Sequence, residues 1–206
     1  MSMIIPIFPL PVVALPDELV PLHIFEERYK LMIDECSQFT GIPAFGVTFI
    51  REDEVHRTGC LVTIKDLLYK YDNGASDIVV CGNEKFKLVN LIEDEKPYLL
   101  AEVKFIEDEN VYVKKGLRDR AINMHEKLIE LLTREIRILN LIHQDKVSYL
   151  LGANAGLEDP QKQTLLELSN ENDRLECLVD HYLHTIDRVR TEIDLENHLK
   201  LNGYLH

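Results

Sequence analysis

The sequence predicts an α+β protein: a small, closed β-type barrel with one packed helix, followed by a C-terminal bundle of about four α-helices. Three observations predict it. Pro6, Pro9, Pro11, Pro16 and Pro21 cut the first stretch into short apolar runs. Proline has no N–H to donate, so such runs read as short edge strands and their bends. From Phe45 to Phe105 apolar and β-branched residues alternate with period two, as half-buried strands do. From about Lys114 the period becomes 3.6 and stays there. The change of period divides the chain into a β-rich part, residues 1–112, and a helical part, residues 113–206.

The elements follow in order. Leu22, Phe25, Tyr29, Met32, Ile33 and Cys36 recur at steps of three and four, one face of a helix. Gly41-Ile42-Pro43 restarts extended structure, and Phe45, Val47 and Phe49 predict a strand apolar on both faces. Arg51–Arg57 reads as a charged loop. Thr58–Ile64 is β-branched and predicts a strand reaching Tyr69, with Asn73-Gly74 as the hairpin turn. The return strand runs to Leu91 and carries Gly82-Asn83 in its middle, where a bulge is expected. Leu99, Ala101, Val103 and Phe105 alternate with Glu102 and Lys104 in a last half-buried strand.

In the helical part, Leu117, Ala121, Met124, Leu128, Leu131, Leu132, Ile136, Leu139 and Ile142 form one long stripe. Lys146–Leu151 gives a short helix ending at Gly152. Asp159-Pro160 marks another start, with an N-cap carboxylate before a proline. Asn170 or Asn172 can cap the last helix, whose apolar face is Leu175, Leu178, Val179, Tyr182, Ile186, Val189 and Ile193.

Composition limits the function classes. The net charge is −13, of which residues 1–113 carry −10. Nucleic-acid binders present a basic field, so DNA, RNA and anionic lipid are disfavoured. No run of 18 apolar residues predicts a membrane span. The N-terminus lacks the basic and apolar regions of a signal peptide, so a cytoplasmic protein is expected. Cys36, Cys60, Cys81 and Cys177 lie far apart without a C-x-x-C pair, and read as buried free thiols rather than a zinc site or disulfide framework.

The string IFPLPVVALPDELVPLHIFEERYKLMI resembles the opening of the Lon protease amino-terminal, substrate-binding domain, and most of all its short free-standing versions. Phe8, Pro9, Leu10, Val13, Pro16, Leu19, Pro21, Leu22, His23, Ile24, Phe25, Glu26, Arg28 and Tyr29 fall on that pattern. Asp17 replaces its usual glycine, so the turn there must use a conformation open to Asp. Gly59, Gly82, Phe86, Pro97-Tyr98-Leu99 and Ala101-Glu102-Val103 continue the resemblance. Cys60 stands where the family has Thr, and Lys85-Phe86-Lys87 where it has an Arg-Phe-Arg pair. Lysine keeps the charge without the bidentate fork.

The resemblance implies a PUA-like barrel, a Lon-type β-rich subdomain over 1–112, and a non-catalytic module that engages unfolded or client polypeptides. A protease or chaperone would act in trans. The two catalytic signatures of full-length Lon are not expected here: no G-x-x-x-x-G-K-S/T phosphate loop occurs, and residue 206 leaves no room for a protease domain. No cofactor is implied. The binding surface is expected to include Phe8, Leu10, Phe25, Arg28 and Tyr29. The competing reading is a small-molecule-binding or RNA-binding domain of the same fold, since fold alone does not assign function.

Two constellations could suggest other chemistry. Cys177, His181 and His184 lie on one helical stripe, but three ligands on one helix need a fourth from elsewhere. They read as polar surface residues, and no metal is expected. His23, Glu26 and Arg28 could suggest acid–base work, yet Glu26 and Glu27 suit a first helical turn and Arg28 can pair locally. Tyr71, Tyr98 and Tyr112 could line a groove or pack half-buried.

Overall fold

A computed structural model describes residues 2–93, 95–109, 111–133 and 146–201. In chain order the elements are β1 (Ser2–Leu10), β2 (Leu19–Ile24), α1 (Glu27–Thr40), β3 (Ala44–Arg51), β4 (Glu54–Lys70), β5 (Ser76–Ile92), β6 (Leu99–Phe105), α2 (Lys115–Thr133), α3 (Ser148–Ala153), α4 (Asp159–Glu167) and α5 (Glu171–Leu201). They fall into two units. The first takes the residues up to Asp108 together with Gly156–Leu168; the second takes Glu109–Ala155 and the residues from Ser169 onward. The α+β class stands. Reading 113–206 as one bundle differs from this division in α4, which belongs with the strands.

The first unit is a six-stranded mixed sheet in the order β2-β5-β4-β3-β1-β6, with β6 also paired to β5. Only β1 and β3 run parallel. β5 is long enough to serve two neighbours besides β4: Ser76–Cys81 pairs with β2, and Phe86–Ile92 pairs with β6. β2 has no second partner among the described residues. The β5–β6 pairing joins β5, β4, β3, β1 and β6 into a ring, and β2 lies beside it with an open edge.

β1 corrects the edge-strand expectation and shows why its prolines are tolerated. It pairs with β6 from Ser2 to Ile7 and with β3 from Ile7 to Leu10. Pro6 meets only β6 and Pro9 only β3, so each proline sits where a second ladder is missing. The missing N–H costs no hydrogen bond there.

Helix α1 starts at Glu27, not at Leu22. Leu22–Ile24 belong to β2, and Glu26 supplies the carbonyl that receives the N–H groups of Tyr29 and Lys30. From Tyr29 the expected stripe holds: Tyr29, Met32 and Cys36 are buried against Phe8, Phe45, Val62, Ile78 and Leu100. A second cluster gathers Ile5, Ile7, Phe86, Ala101 and Val103. Arg51–Arg57 is not a loop. Only Glu52 and Asp53 turn, with φ of 52° and 65°, the paired left-handed geometry of a two-residue hairpin. The β4–β5 connection is longer: Tyr71 N–H donates to the Ala75 carbonyl and Gly74 alone takes positive φ. The bulge expected at Gly82-Asn83 is present, since Val62 faces Gly82 while Cys60 faces Lys85.

Helix α4 is tied to the strands of its unit. Its N-cap is Glu158, in a capping box with Gln161. The carboxylate of Asp159, expected to cap its own helix, instead accepts the Val13 N–H at 2.8 Å. Gln163 Nε2 donates to the Thr58 carbonyl, and Leu165 and Leu166 are buried.

The second unit packs α2 against α5 through Ala121, His125, Leu128, Leu178, Tyr182 and Ile186. Ile136, Leu139 and Ile142 lie outside the described residues. Both asparagines expected at the last helix act as caps. Asn170 Oδ1 accepts the Asp173 N–H, whereas Asn172 Oδ1 accepts the Lys114 N–H and so serves α2. Arg174, fully buried, donates to Ser148 Oγ and Glu171, and Glu171 in turn accepts the Val147 and Ser148 N–H groups at the start of α3. A buried charge pair needs such neighbours to be tolerated.

His125 Nδ1 lies 2.9 Å from the Tyr182 hydroxyl, and burial lowers the imidazole pKa below its ordinary 6.5. The unfolded chain therefore binds this proton more readily than the folded one. The stability involved is fully present above about pH 6.5 and is lost as pH falls from there toward the lowered value. Urea midpoints compared between pH 7.5 and 5 should drop less in His125→Gln than in the wild type.

Candidate functional site

Strands β2, β5 and the outer half of β4 form a three-stranded ribbon whose register sorts its side chains onto two faces. Leu19 pairs with Cys81, Pro21 with Val79 and His23 with Asp77. Across the other edge Cys81 faces Thr63, Val79 faces Asp66 and Asp77 faces Tyr69. Directly opposed residues share a face. One face therefore carries a grid of Leu19, Pro21 and His23, then Cys81, Val79 and Asp77, then Thr63, Asp66 and Tyr69.

Aromatic side chains extend that grid. The His23 ring stacks on Phe25 at 5.6 Å and meets Tyr71 edge-on at 5.7 Å, while Tyr71 meets Tyr69 at 4.6 Å. Leu19, Phe25 and Tyr69 are 59%, 61% and 58% exposed. Asp77 sits among them. His23 Nδ1 lies 2.5 Å from its Oδ1, and the Tyr71 hydroxyl donates to Oδ2 at 2.8 Å. These two bonds, His23 first, hold the Asp77 carboxyl below the usual carboxylate range and keep it ionised.

The opposite face of the ribbon turns toward α1. Between them is a cleft of about 480 Å³ lined by residues that include Leu31, Ile33, Ile64, Leu67 and Ile78 together with Glu27, Lys30, Asp34 and Lys70.

The five residues expected at a binding surface are not equivalent. Phe25 is on the open face just described. Arg28 is exposed, lies over the Tyr29 ring at 4.5 Å and pairs with Glu26. Phe8 and Tyr29 are buried with ring centroids 3.9 Å apart, and Leu10 is half-buried against the same core. Of the three tyrosines, Tyr71 joins the aromatic row. Tyr98 is buried and donates to Glu35, and Tyr112 is exposed in the second unit. His181 Nε2 is bonded to the Ala155 carbonyl. Among the described residues no group of three His, Cys, Asp or Glu is placed to hold a metal ion. Neither Tyr69 on this face nor Leu67 in the cleft behind it was expected at the site. Three consecutive apolar residues next to a hairpin turn, beyond the reach of β3, were the available signal.

The arrangement offers an open strand edge and an exposed apolar and aromatic face. The family model of the ATP-dependent protease La (LON) substrate-binding domain matches residues 4–183. The chain belongs to that family. It is 29% identical over 160 residues to Lon protease 1 of Hydrogenovibrio crunogenus, covering 73% of this chain and 18% of that protein. It is 26% identical over 210 aligned positions to the Lon protease of Buchnera aphidicola, covering 95% and 27%. The chain thus spans about a fifth to a quarter of these relatives. Among solved structures, a Lon N-terminal domain protein from Xanthomonas campestris is 25% identical with a TM-score of 0.63, covering 86% of this chain and 97% of that one. The N-terminal domain of a Mycobacterium avium complex Lon protease shares the fold at 19% identity, TM-score 0.66, covering 87% and 97%. No helix among the described residues is long and apolar enough to cross a membrane.

Proposed function

We propose that this chain is a non-catalytic module that binds unfolded or client polypeptides on the β2-β5-β4 ribbon of its first unit. The observation that carries the reading is the exposed face of Leu19, Pro21, Phe25, Tyr69 and Tyr71 beside a strand with an open edge. Extended segments are recognised in this way elsewhere, main-chain bonds giving affinity and side-chain contacts giving choice. Hydrolysis of the cargo belongs to a protease, or its refolding to a chaperone, acting in trans in the cytoplasm. The net charge of −13 disfavours nucleic acid and anionic membrane as partners.

A small-molecule-binding domain is the second reading, and the cleft beside α1 favours it by its size. The exposed aromatic row on the other face has no role in that reading, which is why the first is preferred.

Pull-down of carboxymethylated, unfolded casein against a folded control tests the proposal. The wild type should enrich the unfolded form. Phe25→Ser with Tyr69→Ser should reduce recovery roughly tenfold or more, since buried aromatic anchors are each worth on the order of 1–2 kcal/mol. Equal recovery of folded and unfolded protein would count against it.

A further inference from the structure

The chemistry of that face selects among polypeptides. Resting on the reading above, we propose that the preferred occupant is an extended apolar or aromatic segment carrying lysine or arginine close by. On the grid the carboxylates are Asp66 and Asp77, with no lysine or arginine. His23 already faces Asp77, whereas Asp66 is exposed among apolar neighbours, and Asp72 is exposed in the turn beside Tyr71. At the rim, Asp17 and Glu84 add two exposed carboxylates. Of the lysines of the same hairpin, Lys70 lines the cleft on the other face, and Lys65, exposed at the register shift before Asp66, is a single positive charge against these carboxylates. A cationic residue next to an aromatic one meets both an acidic field and the faces of Tyr69 and Tyr71, two attractions that act together. An acidic segment meets repulsion from the same groups. The surplus of −10 over residues 1–113 extends the preference to the encounter rate.

Three labelled peptides test this, sharing one apolar and aromatic core flanked by lysine, serine or glutamate. Their binding to the full chain is followed by fluorescence anisotropy at low and high salt. The lysine-flanked peptide should bind about tenfold more tightly than the glutamate-flanked one at low salt, with the gap narrowing as salt rises. Asp66→Asn with Asp72→Asn should shrink the gap, and Asp66→Lys with Asp72→Lys should reverse it; both pairs are exposed and each variant's fold is checked by its unfolding midpoint. If all three peptides bind alike and salt moves none of them, the charge preference is overturned while polypeptide binding stands. A gap unchanged in the aspartate variants overturns the assignment to this face. If no peptide binds, the preference and the underlying function fall together.

Discussion

Replacing Lys85 with methionine is expected to lower the stability of the first unit by about 3–5 kcal/mol, a large part of the total for a domain of this size. The Lys85 and Asp108 side chains are only 5% and 6% exposed, with Nζ 2.7 Å from the carboxylate. The same ammonium donates to the Leu168 carbonyl at 2.7 Å, and the Lys85 carbonyl accepts the Ile106 N–H. One residue thus holds both places where the chain ends its path through this unit, at Asp108 and at Leu168. Methionine fills similar space but leaves a buried carboxylate without its cation. Lys85→Met with Asp108→Leu should recover most of the loss, because two apolar partners leave no buried charge behind. Urea unfolding of the single and double variants, followed by circular dichroism, checks both statements.

Gly82→Ala is expected to cost roughly 2–4 kcal/mol, the sum of a forced backbone shift and weakened turn hydrogen bonds. A Cβ on Gly82 would stand 2.0 Å from the Leu15 carbonyl oxygen and 2.8 Å from its carbon, and both are backbone atoms with no rotamer to escape into. The neighbouring turn is tied to this residue: Asp17 N–H donates to the Gly82 carbonyl, and Gly82 N–H donates to the Glu18 carbonyl, each at 2.9 Å. Asp17 itself holds a φ of 63°, so the turn has little freedom to yield. Gly116→Ala is the control. Nothing lies within 4 Å of its added methyl, and helix propensity predicts unchanged or slightly raised stability.

Where apolar spacing reflected burial, the sequence was readable. Tyr29, Met32 and Cys36 face the core as their spacing required, and the Leu175–Val189 face of α5 is buried throughout. The failures have physical causes. Leu22 and Phe25 continue a helical period by coincidence: Leu22 pairs with Ile78 of β5, and Phe25 follows the end of β2. Pro21 does lie in a strand with an open edge, whereas staggered β1 places Pro6 and Pro9 each beside a single neighbour. Asp159 serves the distant Val13 N–H rather than its own helix, because a carboxylate at a helix start is open to either. At the site, sequence alone could not separate Phe25 from Phe8, since both carry the family resemblance and only packing divides them. Lys85, a lysine among strand residues, gives no sign in the sequence of the partner that buries it.

Backbone hydrogen exchange of the full chain, alone and saturated with carboxymethylated casein, tests the central claim most directly. A ribbon that receives extended polypeptide should gain protection at the amides of Leu19, Val20, Leu22, His23 and Ile24, and in the β4–β5 hairpin from Lys65 to Asp77. Protection confined to other parts of the chain, or an exchange pattern that casein leaves unchanged, would contradict it.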